Sequence, residues 1–265
     1  MKTRLSVLIR GLLWLLFLLA SSVPASAHQS TRRVLFVGNS LTYVNNLPAA
    51  FASLAPQDGP WIVDAFARPG SSLQDDAGNP VLTRLLTQGR YTDVVFQERG
   101  GDAVCGLNGA GCTELDEGSP TVRASVALAA VARAGGARVF YLGTYQPNAA
   151  VEPALIRGEQ HIAQSMGATY IELGASWQAL RSAYPEADWL ASDGVHPGRA
   201  TTALMALRTW RVVAGRDATT ATPCVRGPLY THSPSESGFF HVDPAARPRI
   251  CLVSQSMARM LAGQP

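Results

Sequence analysis

Apolar, β-branched and aromatic residues gather in five short runs: Arg33–Val37, Trp61–Phe66, Asp93–Gln97, Arg138–Gly143 and Thr169–Leu173. Each has the length and composition of a buried strand. Between them the pattern turns helical. Short helices are expected over Leu47–Leu54 and Val81–Thr87. A longer, Ala-rich helix is expected over Thr121–Ala134, with Ser119 as N-cap, Pro120 at its first position and Gly135-Gly136 at its end. Further helices are expected over Glu152–Met166, Ser176–Ala183 and Arg199–Val213, the last opening at Pro197-Gly198. Strands alternating with helices predict a mostly parallel sheet with helices on both faces. Such a sheet binds ligands at the carboxyl ends of its strands, near a topological switch point.

Two stretches break the alternation. Arg99–Gly118 is Gly-rich and follows the third strand. Ala214–Ile250 is irregular and rich in Pro, Thr and Ser, and a loop that long in a compact domain is usually functional or pinned. A last helix is expected over Leu252–Leu261. The chain is therefore read as a targeting segment, 1–27, and one domain, 28–265, with an irregular C-terminal extension from about residue 214.

Residues 1–27 carry a secretory signal pattern. Lys2, Arg4 and Arg10 precede an apolar run from Leu12 to Ala20, and Ala25-Ser26-Ala27 is a small-residue cleavage signature. The run is shorter than the roughly 20 residues of a spanning helix. Cleavage removes three of the 22 basic residues and none of the 19 acidic ones, which leaves a near-neutral chain. Neither nucleic acid nor stable membrane insertion is expected of it. A secreted or periplasmic location follows. Export also makes disulfides the default for the four cysteines, and pairing by proximity gives Cys105–Cys112 and Cys224–Cys251. Three pairings exist. The competing zinc site lacks a Cys-x-x-Cys or a close Cys/His cluster.

Candidate chemistry sits just after the first strand and just before the helix expected over Arg199–Val213. Gly38-Asn39-Ser40-Leu41-Thr42 leaves the first strand, so Ser40 is expected at a turn with its oxygen at the strand's carboxyl end. Asp193-Gly194-Val195-His196-Pro197 puts an acid and an imidazole three residues apart. On one short turn the carboxylate can hold one ring nitrogen while the other faces outward as a base. Ser40 as nucleophile, His196 as base and Asp193 as orienting acid form the expected set. Read alone, Ser40 is more readily an N-cap or turn residue, and a lone Asp-x-x-His is more readily a turn acid and a helix-capping imidazole; it is the three together that point to chemistry. His28, His161, His232 and His241 are poorer candidates by position. An acyl-transfer site also needs donors for the oxyanion. The Ser40 N–H, the Gly70 N–H in Arg68-Pro69-Gly70-Ser71-Ser72-Leu73, and the Gln97 side-chain amide at the third strand's end are the candidates.

Taken together these segments resemble the SGNH hydrolase superfamily of GDSL-like esterases and lipases. Gly38–Thr42 is similar to its first block, with Asn39 in place of the usual Asp. Gly70 matches the second-block glycine, and Asp193–Pro197 matches the last block. The third block departs. The family usually shows Gly-x-Asn-Asp there, whereas this strand runs into Gln97-Glu98-Arg99-Gly100-Gly101-Asp102 with no Asn. The resemblance implies a three-layer α/β/α sandwich on a flavodoxin-like five-stranded parallel sheet, and carboxylic ester hydrolysis without a cofactor or metal. Export adds the expectation of a small acyl ester or an acetylated glycan as substrate. Two other readings stand beside it: an envelope-glycan O-acyltransferase on the same scaffold, and a catalytically inactive scaffold that binds a glycan or partner. Product analysis with a glycan acceptor separates the first. Ligand binding unchanged by Ser40→Ala, without turnover, marks the second.

Overall fold

The computed structural model describes residues 31–55, 61–103, 119–218 and 221–263. The expected targeting segment, His28 and the Cys105–Cys112 pair lie outside the described residues. Strand β1 (Arg32–Gly38) is buried from Val34 onward and splits its side chains by strict alternation. Val34 and Phe36 enter one apolar cluster, and Leu35 and Val37 enter the other. A strand buried on both faces reads in sequence as a continuous apolar run, which is why β1 was legible.

Strands β2 (Trp61–Ala67), β3 (Asp93–Phe96), β4 (Arg138–Leu142) and β5 (Thr169–Ile171) join β1 in parallel. The short helices α1 (Ser40–Tyr43), α2 (Leu47–Ala52), α3 (Leu73–Asp76) and α4 (Pro80–Gln88) fall between β1 and β3. They are followed by α5 (Pro120–Ala134), α6 (Glu152–Ser165), α7 (Gly174–Ala183) and α8 (Arg199–Ala214). One face of the sheet is packed by α2, α7 and α8, the other by α4, α5 and α6. Helix α8 has an almost wholly buried surface, and its Trp210 meets Phe51 and Trp61 at ring-centroid distances of 5.5 and 4.8 Å. Ser119 occupies the N-cap of α5 but makes no capping hydrogen bond. Pro120 instead opens the helix, its fixed φ suited to the first turn.

Read across the sheet, the strand order is β5-β4-β3-β1-β2 followed by β7 (Phe239–His241), so the five expected parallel strands are present and a sixth, antiparallel one adds to them. The five parallel strands keep the flavodoxin-like order, with the switch point between β1 and β3. The sixth, β7, comes from the stretch read as irregular and pairs antiparallel with the β2 edge, Asp64 opposite His241. Three residues are too few to show a strand period. They are held by the edge they cover, where His241 Nδ1 lies 2.6 Å from Asp64 Oδ1. Two further short strands, β6 (Cys224–Arg226) and β8 (Arg249–Cys251), pair with Cys224 opposite Cys251, and these two form the expected disulfide. Helix α9 (Gln255–Ala262) starts three residues later than expected because Ser254 caps it, accepting from Met257 N. Tyr230, Phe239 and Phe240 pack the extension onto the domain; the Tyr230 and Phe240 rings meet edge-on at 5.7 Å. No helix among the described residues is long and apolar enough to cross a membrane.

Candidate active site

The carboxyl ends of β1, β2, β3 and β4 converge on one cavity of about 290 Å³, whose lining includes Ser40, Gly70, Arg99, Tyr145, Gln146 and His196. Ser40 reaches it because the chain turns sharply after β1. A side chain on Gly38 would meet Thr42 Oγ1 at 2.2 Å and the Gln97 carbonyl at 3.3 Å, so only glycine permits the approach. Asn39 caps the four-residue α1, its Oδ1 accepting from Leu41 N at 3.0 Å. Ser40 is then the first helical residue, and its N–H has no intrahelical acceptor.

The acid and the imidazole come together within one turn. Asp193 Oδ1 accepts from the N–H groups of Val195 and His196, each at 2.9 Å, and Oδ2 lies 2.6 Å from His196 Nδ1. The His196 contact, reinforced by the two backbone N–H groups, lowers the Asp193 carboxyl to a pKa of about 2. An ionised acid at Nδ1 fixes the tautomer with that nitrogen protonated and leaves Nε2 as the basic lone pair. His196 and Ser40 line the same cavity, but no direct hydrogen bond joins them. Such bonds are often long without substrate and tighten when it binds.

Two residues that sequence reasoning missed hold this turn. The Tyr145 hydroxyl donates to Val195 O at 2.9 Å, and the Tyr145 ring stacks on Trp177 at 4.8 Å. Asn45 Nδ2 donates to Pro197 O at 2.7 Å, tying the segment after Ser40 to the segment after His196. Asn45 sits at φ 55°, a conformation Asn tolerates better than most residues. That preference was the only sequence signal available for it.

The expected oxyanion donors divide. Gly70 has φ 64°, a left-handed value that favours glycine, and its N–H meets no acceptor among the described residues. Gln97 is not among the residues lining the cavity. It is buried, its Oε1 accepting from Thr42 Oγ1 at 2.7 Å and its Nε2 resting 3.5 Å from Met205 Sδ. Past the end of β3 it packs toward α8, so its amide is spent on the core. Asn39, buried beside Ser40, keeps an Nδ2 without a partner. The neighbouring Glu98 and Arg99 reach across to the Gly70 turn instead. Glu98 is buried, and desolvation raises its pKa to about 8.

No protein-family profile matches the sequence, and neither does any curated protein. Solved structures do match. TesA superposes with a TM-score of 0.54 at 19% identity, covering 69% of this chain and 99% of that one. Axe2, an acetylxylan esterase from Geobacillus stearothermophilus, gives 0.53 at 13%, covering 68% and 93%. A DUF4886 family protein from Bacteroides uniformis gives 0.53 at 14% and covers 88% of this chain and 93% of its own. The fold of this chain is that of the SGNH, or GDSL-like, hydrolases, the superfamily its sequence resembles.

Proposed function

We propose that this protein is an exported serine esterase that hydrolyses carboxylic esters through Ser40, His196 and Asp193. The observation that carries the reading is the 2.6 Å contact between His196 Nδ1 and Asp193 Oδ2 on a turn that shares its cavity with Ser40. A base oriented by a fixed acid, beside a serine at a strand-to-helix turn, is the arrangement acyl transfer needs. Esterases among the proteins of similar fold support it.

In the reaction, Ser40 Oγ attacks the ester carbonyl while His196 Nε2 takes its proton. The Ser40 and Gly70 N–H groups receive the negative charge that develops on the carbonyl oxygen. Collapse of the tetrahedral adduct breaks the bond to the alkoxy oxygen, which leaves as the alcohol with the proton from His196. Water, deprotonated by the same imidazole, then cleaves the acyl-enzyme and restores Ser40. The substrate class proposed is a short acyl ester, an acetylated glycan being the natural extracytoplasmic example. A cavity of about 290 Å³ suits a small acyl group with part of its alcohol. Cleavage after residue 27 and the Cys224–Cys251 disulfide fit export.

The test is fluorophosphonate labelling of the mature protein with peptide mapping. Modification of Ser40, lost in Ser40→Ala, is the expected result. A folded, disulfide-intact protein that stays unlabelled and turns over no acetate ester overturns the reading.

A further inference from the structure

The third block lacks the family's Asn, yet Glu98 and Arg99 in that block make specific contacts with the second block. Glu98 Oε1 accepts from Leu73 N at 3.1 Å and from Arg99 N at 2.7 Å, and its Oε2 lies 3.2 Å from Leu73 N. Arg99 Nη1 donates to Gly70 O at 2.9 Å, while its Nη2 is anchored on Asp102 at 2.9 Å. One residue therefore holds the far end of the Gly70–Leu73 turn, and the next holds its near end. We propose that Glu98 and Arg99 are positioning residues that clamp this turn and fix the direction of the Gly70 N–H for the oxyanion. The clamp supplies by geometry part of what the missing Asn would supply as a donor. This rests on the esterase reading.

The need for a clamp follows from Gly70 itself. A Cβ there would meet nothing within 4 Å, so no packing against this side of Gly70 holds the residue. Glycine is also the residue with the most backbone freedom. The turn's own closing bond, Ser71 N to Arg68 O, is long at 3.4 Å, and the Ser71 hydroxyl adds contacts to Arg68 O at 3.2 Å and Asp76 Oδ2 at 3.0 Å that hold Ser71 but leave the Gly70 carbonyl to Arg99. A donor stabilises a developing charge only if it is already aimed, because reorientation during reaction costs what the bond would gain. Binding the Gly70 carbonyl fixes the peptide that follows Gly70, and binding Leu73 N fixes the turn's exit into α3; the Gly70 N–H, carried by the preceding peptide, is positioned through them at one remove. The bland alternative is that Glu98 merely caps α3 and Arg99 merely pairs with Asp102, which would affect stability alone.

The experiment compares wild type with Arg99→Met, Arg99→Lys, Glu98→Gln and Glu98→Ala, using p-nitrophenyl acetate turnover, fluorophosphonate labelling rate and backbone amide exchange. Expected is a fall in kcat of about tenfold or more in Arg99→Met and Glu98→Ala, with KM within about threefold and labelling slowed in parallel. Arg99→Lys should recover much of the loss, because an ammonium still reaches the Gly70 carbonyl. Amide exchange should quicken at Ser71–Leu73 and stay unchanged in the sheet. Glu98 is buried and its Ala variant is at risk of misfolding, so the half-exposed Arg99 carries the test if that variant is lost. Wild-type kcat and labelling in Arg99→Met overturn the clamp while leaving the esterase reading intact, whereas Glu98→Gln, which keeps an acceptor oxygen for Leu73 N and Arg99 N, should stay close to wild type. A loss that tracks general loosening of the sheet overturns it as well. A wild-type protein unlabelled at Ser40 removes the esterase reading, and the clamp's catalytic role with it.

Discussion

Asp193 binds His196 twice, through the backbone N–H at 2.9 Å and through ring Nδ1 at 2.6 Å, so one carboxylate sets both the turn and the imidazole it carries. Asp193→Asn should keep the turn's backbone bonds but present an amide to Nδ1 and disfavour the productive tautomer. We expect kcat for a short acyl ester to fall by about 10²–10⁴-fold with KM little changed. Steady-state kinetics checks this. Because the carboxyl is held near a pKa of about 2, Asp193 stays ionised across any practical assay range and contributes no limb to the pH profile.

Tyr145 and Asn45 hold the His196 turn from two sides. Tyr145→Phe removes the hydroxyl that satisfies the Val195 carbonyl but keeps the ring on Trp177. A loss of about 1 kcal/mol in stability and a several-fold drop in kcat are expected. Asn45→Gly keeps the left-handed backbone and removes the bond to Pro197. A double-mutant cycle measured on kcat should show coupling between the two, since both act on one turn.

Asp93 is fully buried at the start of β3, between Arg32 and Arg138 at 2.8 and 2.6 Å. This ion pair lies at the opposite end of the strand from the cavity. Asp93→Asn leaves two guanidinium groups without their counter-charge, but both reach solvent, so the expected cost is about 1–3 kcal/mol in denaturant unfolding. The kcat of the fraction that remains folded should be unchanged.

Burial raises the pKa of Glu98 to about 8 and that of Glu159 to about 7, from an ordinary 4.5. Glu159 is held among the Thr144 N–H and hydroxyl and the Tyr170 hydroxyl. Both carboxyls hold protons more tightly folded than unfolded. From about pH 4.5 to 8 the native state therefore binds more protons, and stability should decline as pH rises. Each group contributes a slope approaching about 1.4 kcal/mol per pH unit. Chemical denaturation across this range checks it, and Glu98→Gln with Glu159→Gln should flatten the curve. The clamp survives protonation on Oε2, because Oε1 keeps its bonds from Leu73 N and Arg99 N and only the longer 3.2 Å contact of Leu73 N with Oε2 is weakened.

The sequence alone determined the parallel α/β core and the local chemistry. Strand burial, helix period and the Asp193-to-His196 spacing are written in neighbouring residues, and each carries a pattern that survives without knowledge of the fold. The Cys224–Cys251 bond was legible for a different reason, because cysteines of an exported chain pair by default and these two are neighbours in the cysteine order. Tertiary structure decided the rest. That Gln97 turns into the core while Glu98 reaches toward the Gly70 turn depends on which face each residue takes as β3 ends, and a one-residue difference in strand phase reverses it. The Glu98 and Arg99 contacts with the Gly70 turn join residues 25 and 29 apart, and β7 joins a sheet edge 177 residues from its partner. Such bonds follow from strand order, and hydrogen-bonding groups brought together across that distance leave no periodic trace in the chain that supplies them.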